Sequence, residues 1–196
     1  MKTVKIFTVI FLYFFGTSNL FAIEPDIFVQ STVNRASKIL SEEIPKNKKI
    51  EQLKLVAQDT VDIRGIGLYT LGSARKSLGE NQKNEYQKLF NKYFLKSFSS
   101  RLAEYTNPEI EVIGKEKLNE NYTIVNSLLK GTEKRPEVKI DWRIYTKNVD
   151  KPLIRDLIIE GLSLARTQKE EFASILNSND NDINALFKTL EEFSKN

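Results

Sequence analysis

Three carboxylates, Asp141, Asp156 and Glu160, have the types and spacing in this chain that could do chemistry. Asp141 and Asp156 fall on segments that could be neighbouring strands, and Glu160 lies at a strand end. Two such groups could act as a general acid and a general base. Each also has an ordinary structural reading. Asp141 sits in the outward phase of its strand between Lys139 and Arg143, where a cross-strand ion pair is expected. Glu160, beside Gly161, is placed to accept hydrogen bonds from loop or helix-start amides. Other chemistries lack their residues. The chain has no His and no Cys, which removes His-assisted Ser triads, thiol catalysis, disulfides and nearly all zinc sites. Gly65-Ile-Gly67 lacks the third glycine and the strand–turn–helix setting of a phosphate loop. Asp180-Asn-Asp182 lacks the turn glycine and terminal Glu of a calcium loop and suits helix capping. Asn121-Tyr-Thr123 is a formal glycosylation sequon.

The elements that must position these groups centre on Leu153–Phe172. Leu153, Ile154, Leu157, Ile158 and Ile159 form a short apolar, β-branched strand. Gly161 punctuates it, and Ser163 can cap a helix running on through Phe172. Both faces of the strand are apolar, so something apolar must cover each: helices on one, helices or a ligand on the other.

The first 22 residues read as a targeting segment. Lys2 and Lys5 form a basic start, Ile6–Phe15 is apolar apart from Thr8, and Ala22 suits cleavage. An apolar run of roughly 10 residues falls short of the ~20 needed to span a bilayer. Secretion leaves a single domain at 23–196, large enough to bury a sizeable core. Losing Lys2 and Lys5 lowers the formal charge from +4 to +2. That near balance, with no aromatic–basic stacking platform, argues against nucleic-acid binding.

Helical spacing predicts a helix over Asp26–Ile44, ended by Pro45, with Val29, Val33, Ala36, Leu40 and Ile44 inward. Lys46–Lys49 reads as a solvated connector. A second helix follows over Ile50–Asp59, then a short third one over Val61–Leu71, broken by Gly65 and Gly67 and stopped by Gly72. A long helix runs from Gly79 to about Tyr105, with a wide apolar stripe of Tyr86, Leu89, Phe90, Tyr93, Phe94, Phe98, Leu102 and Tyr105. The period then changes to two. Glu109–Leu118, Tyr122–Leu129, Glu137–Tyr145 and Leu153–Ile159 make a four-stranded antiparallel meander. A helix from Ser163 follows, then a last one capped by Asn179-Asp180, with Ile183, Leu186, Phe187, Leu190 and Phe193 inward. The fold class is α+β: N-terminal helices and one long helix packed on a four-stranded antiparallel sheet, with C-terminal helices.

The chain is rich in large apolar groups, with 12 Phe and 7 Tyr. Residue by residue, the ordinary reading is core. Collectively, an antiparallel sheet facing a long aromatic helix can leave a cavity between them. An apolar cavity without titratable groups suits an apolar ligand.

Two blocks resemble the MlaC (toluene-tolerance) family of periplasmic phospholipid-binding proteins. The first is Leu71-Gly72 followed by the helix carrying Tyr86, Phe90, Tyr93, Phe94, Phe98 and Leu102, which ends in Glu104-Tyr105. The second is Ile140-Asp-Trp-Arg-Ile144, a turn, Asp156-Leu-Ile-Ile-Glu-Gly-Leu-Ser-Leu164, and Phe172. It is similar to the family's Val-Asp-Tyr-Arg-Leu and Asp-Val-x-Val-Glu-Gly-Val-Ser-Leu blocks. Where the family usually has Tyr-Arg after this block, this chain has Gln168-Lys169. Arg75 stands where an aromatic is common.

The resemblance implies a soluble periplasmic shuttle with no cofactor, whose ligand is phospholipid. It would carry lipid between an outer-membrane lipoprotein–porin complex and an inner-membrane ABC transporter complex, maintaining outer-membrane lipid asymmetry. By strand phase and helix face, the lipid cavity would be lined by some of Phe90, Tyr93, Phe94, Phe98, Val125, Ile140, Trp142, Ile144, Ile158 and Leu164. The expected form is a monomer without catalytic residues. Two other readings are a secreted enzyme using Asp141, Asp156 or Glu160 as base, and a periplasmic module whose apolar groove accepts a peptide.

Overall fold

The computed structural model describes residues 22–133 and 135–195. The targeting segment read at 1–22 therefore lies, apart from Ala22, outside the described residues. Among these, six α-helices precede and follow a five-stranded antiparallel sheet, giving the α+β architecture. The extra strand is a correction to the four-stranded reading.

Pro25 opens α1 (Pro25–Ser41), where its missing N–H would have had no partner anyway. Val29, Val33 and Leu40 recur at helical spacing and are buried. The helix stops at Ser41 and does not reach Pro45. Pro45 instead begins the next helix, α2 (Lys46–Thr60), so Lys46–Lys49 is a helical turn and not a connector. Pro45 supports this with a φ of −55° and a carbonyl that accepts from the amides of Lys48 and Lys49. Lys49 Nζ also donates to the Leu40 carbonyl at 2.7 Å, satisfying a group left open at the end of α1.

Helix α3 (Ile63–Thr70) runs straight through Gly65 and Gly67, which do not break it. Asp62 caps it, accepting from the Gly65 amide at 2.8 Å. The glycines serve close approach. A Cβ on Gly67 would lie 2.8 Å from the Phe90 ring, and one on Gly65 would meet the Asp62 carboxylate at 2.4 Å. The long helix α4 (Glu80–Leu102) stops one residue short of Ala103, so Tyr105 lies beyond it. Its aromatic stripe builds a cluster around Phe90. Tyr86 stacks on Phe90 at 5.7 Å, and Phe172 meets it edge-on at 6.2 Å. The Tyr86 hydroxyl is buried against Thr70 Oγ1 at 2.8 Å, and burial pushes its phenol pKa up.

The strands β1 (Ile110–Asn119), β2 (Tyr122–Leu129), β3 (Val138–Tyr145) and β4 (Leu153–Ile159) pair in chain order. A two-residue β5 (Leu162–Ser163) then folds back on β4, pairing Ile159 with Leu162 and Ile158 with Ser163. The turn between them is Glu160-Gly161, with φ of 48° and 82°. Positive φ at both central residues is the tight hairpin geometry that Gly favours. Glu160 stabilises the turn by accepting from the Lys139 amide on β3.

The β3–β4 ladder contains a bulge. Arg143 pairs with Asp156, but Ile144 pairs with Ile154, leaving Arg155 extra. The bulge resets the phase of β4. Ile154, Leu157 and Ile159 therefore share the face of Ile144, Trp142 and Ile140, while Ile158 lies opposite beside Asp141. Strict alternation would group Ile154 with Ile158, and the bulge instead groups it with Leu157 and Ile159.

Helix α5 (Leu164–Asn177) starts directly after β5, and α6 (Ile183–Lys195) closes the chain. The start of α6 is held by Asp182, whose Oδ1 accepts from the Asn184 amide at 3.0 Å, and not by Asn179-Asp180. Asp180 and Asn181 take left-handed φ of 52° and 61° and form the turn. Among the described residues no helix is long and apolar enough to cross a membrane.

Candidate functional site

Two cavities lie between the sheet and the helices. One, of about 130 Å³, is formed where the small side chains Ala36 of α1 and Ala57 of α2 face Ile140, Leu157 and Ile159 of the sheet. Its Thr and Ser hydroxyls are already committed. Thr32, Ser37 and Thr60 each donate to a backbone carbonyl at 2.7–2.9 Å. No charged side chain lines it, and apart from the exposed Tyr105 its remaining walls are apolar.

The other cavity, of about 190 Å³, lies between α4, α5 and β4. Phe90, Tyr93, Phe94 and Phe98 line one side, and Leu164 and Ala165 the other. Leu164 is 39% exposed, so this cavity reaches the surface at the start of α5. Its rim is polar: Ser97, Arg101, Thr167, Gln168 and Glu171. Tyr93 Oη donates to Gln168 Oε1 at 2.7 Å, and Gln168 Nε2 donates to Glu171 Oε2 at 2.8 Å. Burial first, then the Glu171 charge, pushes the Tyr93 phenol up, so it stays a neutral donor. Arg101 is exposed at this rim and makes no ion pair among the described residues.

Val61, Phe98, Trp142, Ile154 and Leu157 line both cavities and form the wall between them. Trp142 is oriented by its indole N–H, which donates to Ser127 Oγ at 2.8 Å; Ser127 in turn donates to the Ile140 carbonyl at 3.0 Å. With its one polar group satisfied, the ring presents an apolar surface to both spaces.

Seven of the ten residues read from sequence as cavity lining do line these spaces. Phe90, Tyr93, Phe94, Phe98, Trp142 and Leu164 face the larger cavity, and Ile140, with Phe98 and Trp142, faces the smaller. Val125 and Ile144 share the face of Trp142 but are wholly buried in packed core. Ile158 is on the opposite face because of the bulge at Arg155. Ala36, Ala57, Val61, Leu157 and Arg101 went unrecognised. Small residues on otherwise apolar helix faces were the one available signal for Ala36 and Ala57, since a short side chain leaves space that a longer one would fill.

The three carboxylates do not converge. Asp141 pairs with Lys139 on its own strand at 3.3 Å and accepts from Asn126 Nδ2 at 2.8 Å, in place of the expected cross-strand ion pair. Glu160 is held in its hairpin by the Lys139 amide. Asp156, only 3% exposed, accepts from Ser163 Oγ at 2.6 Å and the Ala165 amide at 3.0 Å. Among the described residues no group of acidic side chains could hold a metal ion.

A search of curated proteins found no match. Among solved structures, the fold is similar to the phospholipid-binding protein from Ralstonia solanacearum in complex with a phospholipid. The TM-score is 0.73, with 17% identity, covering 88% of this chain and 98% of that one. The family model described as MlaC protein matches residues 30–192. With that match running over almost the whole length of the described residues, the chain belongs to the MlaC family.

Proposed function

We propose that this chain binds phospholipid, with the acyl chains between sheet and helices and the headgroup at the Arg101–Gln168 rim. It acts as a monomeric periplasmic shuttle between an outer-membrane lipoprotein–porin complex and an inner-membrane ABC transporter complex, and so sustains outer-membrane lipid asymmetry. The observation that carries this reading is the pair of apolar cavities, one of which meets the surface beside polar groups. Membership of the MlaC family and the lipid held by the Ralstonia protein support it. A binding role, and not catalysis, also fits carboxylates that are engaged in a cap, a hairpin and a surface pair.

The energetics suit a carrier. Burying ~30 methylenes at ~0.8 kcal/mol each is worth ~24 kcal/mol relative to water. Relative to a bilayer the net is near zero, because the chains were already dry. Such a cavity need only match the bilayer, so lipid can be handed on without general acid, nucleophile or metal.

The test is organic extraction of the purified protein followed by lipid mass spectrometry, with uptake from vesicles measured in parallel. Stoichiometric phospholipid is expected. Recovery of none, together with no uptake, overturns the reading. For the shuttle role, lipid-loaded protein should pass its lipid to the purified membrane complexes and bind each of them.

A further inference from the structure

We infer that the two acyl chains of a bound phospholipid part at the Phe98–Trp142 wall, one on each side. One chain stays in the larger cavity between α4 and α5, and the other enters the smaller cavity beneath α1 and α2. This inference rests on the phospholipid reading above and adds to it the path of each chain.

Three observations carry it. First, the polar rim belongs to the larger cavity alone: Arg101, Gln168 and Glu171 line it, and none of them lines the smaller one. A headgroup therefore sits at the larger cavity, and the smaller one, with no charged side chain in its lining and its Thr and Ser hydroxyls committed to carbonyls, takes hydrocarbon. Second, the two spaces are alike in size, about 190 and 130 Å³. A dry cavity of about 150 Å³ holds a benzene-sized molecule. Each space is thus the seed for one chain, extended as the wall side chains shift, and neither is sized for two chains side by side. Third, the wall is thin and apolar on both sides. Phe98 and Trp142 line both cavities, Phe98 stacks on Phe94 at 5.5 Å, and the Trp142 N–H is already satisfied. A chain lying on either side meets only apolar groups there. The short side chains of Ala36 and Ala57 keep the far space open.

Trp142 is the only Trp in the chain, which makes the wall directly observable. The wild-type protein is loaded from vesicles of phosphatidylglycerol brominated mid-chain on the first acyl chain only, on the second only, or on neither. Because chains on both sides would lie against the indole, each brominated lipid should quench Trp142 fluorescence at least twofold. Quenching by one positional isomer but not the other overturns the inference. No uptake of any of the three lipids would overturn the phospholipid reading instead.

A second arm fills the smaller cavity through Ala57→Leu and, on a different helix, Ala36→Leu. Occupancy by diacyl phosphatidylglycerol should fall at least tenfold in whichever variant folds, while a one-chain lysophospholipid binds within twofold of wild type. Equal loss of both lipids, or no loss of either, overturns the inference.

Discussion

Ser163 Oγ donates to Asp156 Oδ2 at 2.6 Å while accepting from the Arg166 amide at 3.1 Å. Asp156 Oδ1 accepts from the Ala165 amide at 3.0 Å. Together the pair satisfies amides of the first turn of α5, the helix that covers the larger cavity, and places a carboxylate at its positive end. Ser163→Ala is expected to cost about 1–2 kcal/mol, the usual price of a lost cap. Asp156→Asn should cost about 1–3 kcal/mol, since it leaves a buried partner poorly satisfied. Chemical denaturation checks both. The proteins that remain folded should retain lipid, whereas an enzyme using Asp156 as base would lose turnover.

Tyr86 gives an alkaline limit to stability. Its phenol is held neutral in the fold by burial, with its pKa raised above the ordinary 10.0. In the unfolded chain it ionises near that ordinary value, so above pH 10 the unfolded state is favoured. The contribution is fully present below pH 10. It should decline by up to about 1.4 kcal/mol per pH unit as pH rises toward the folded pKa. Tyr86→Phe should be less stable at pH 7, through loss of the Thr70 bond, and should show a shallower alkaline decline. Thermal melts across pH 8–11 distinguish the two proteins.

Gly67 tests the seam between α3 and α4. A Cβ there meets the Phe90 ring at 2.8 Å, and that ring is locked among Tyr86, Phe94 and Phe172. Helix propensity alone would favour Ala by about 1 kcal/mol. Overpacking should win, with Gly67→Ala destabilising by about 1–3 kcal/mol in urea.

Arg101 tests the rim. Being exposed and without an ion pair among the described residues, its loss should move stability by no more than about 0.5 kcal/mol. Arg101→Glu is expected to slow uptake from vesicles of anionic phospholipid several-fold, with the difference shrinking as salt rises. Uptake at the wild-type rate in low salt would remove Arg101 from the headgroup contact.

Much of the framework was legible because periodicity reports burial directly. The aromatic stripe from Tyr86 to Phe98, the alternation of Val138, Ile140, Trp142 and Ile144, and the Ser163 cap each follow from local rules that the packing then obeys. The failures have physical causes. A two-residue strand such as β5 is too short to show a period. Pro45 serves a helix start as well as a stop, and the amides of Lys48 and Lys49 on its carbonyl decide which. Gly65 and Gly67 look like breakers until Asp62 and Phe90 are seen against them.

Cavity residues are harder to read than elements. Val125 and Trp142 share one face of the sheet, yet one is sealed in packed core and the other borders open space. That difference depends on what stands across from them, including alanines on helices distant in sequence. Ile158 was misplaced for a different reason: one unpaired residue upstream reversed its side.

That unpaired residue, Arg155, does more than shift a phase. Its guanidinium holds the Asp62 carboxylate through Nε at 2.6 Å and lies 4.2 Å from the Tyr145 ring centroid. Asp62 in turn caps α3. Strand register and helix docking are therefore inherited together. Deleting Arg155 would leave Ile154, Leu157 and Ile159 on one face in plain alternation, but would remove the guanidinium that ties Asp62 and the start of α3 to the sheet. Length variation along this lineage should thus be absorbed in the turns at 146–151 and 131–136, while the span from Leu153 to Ile159 keeps its residue count.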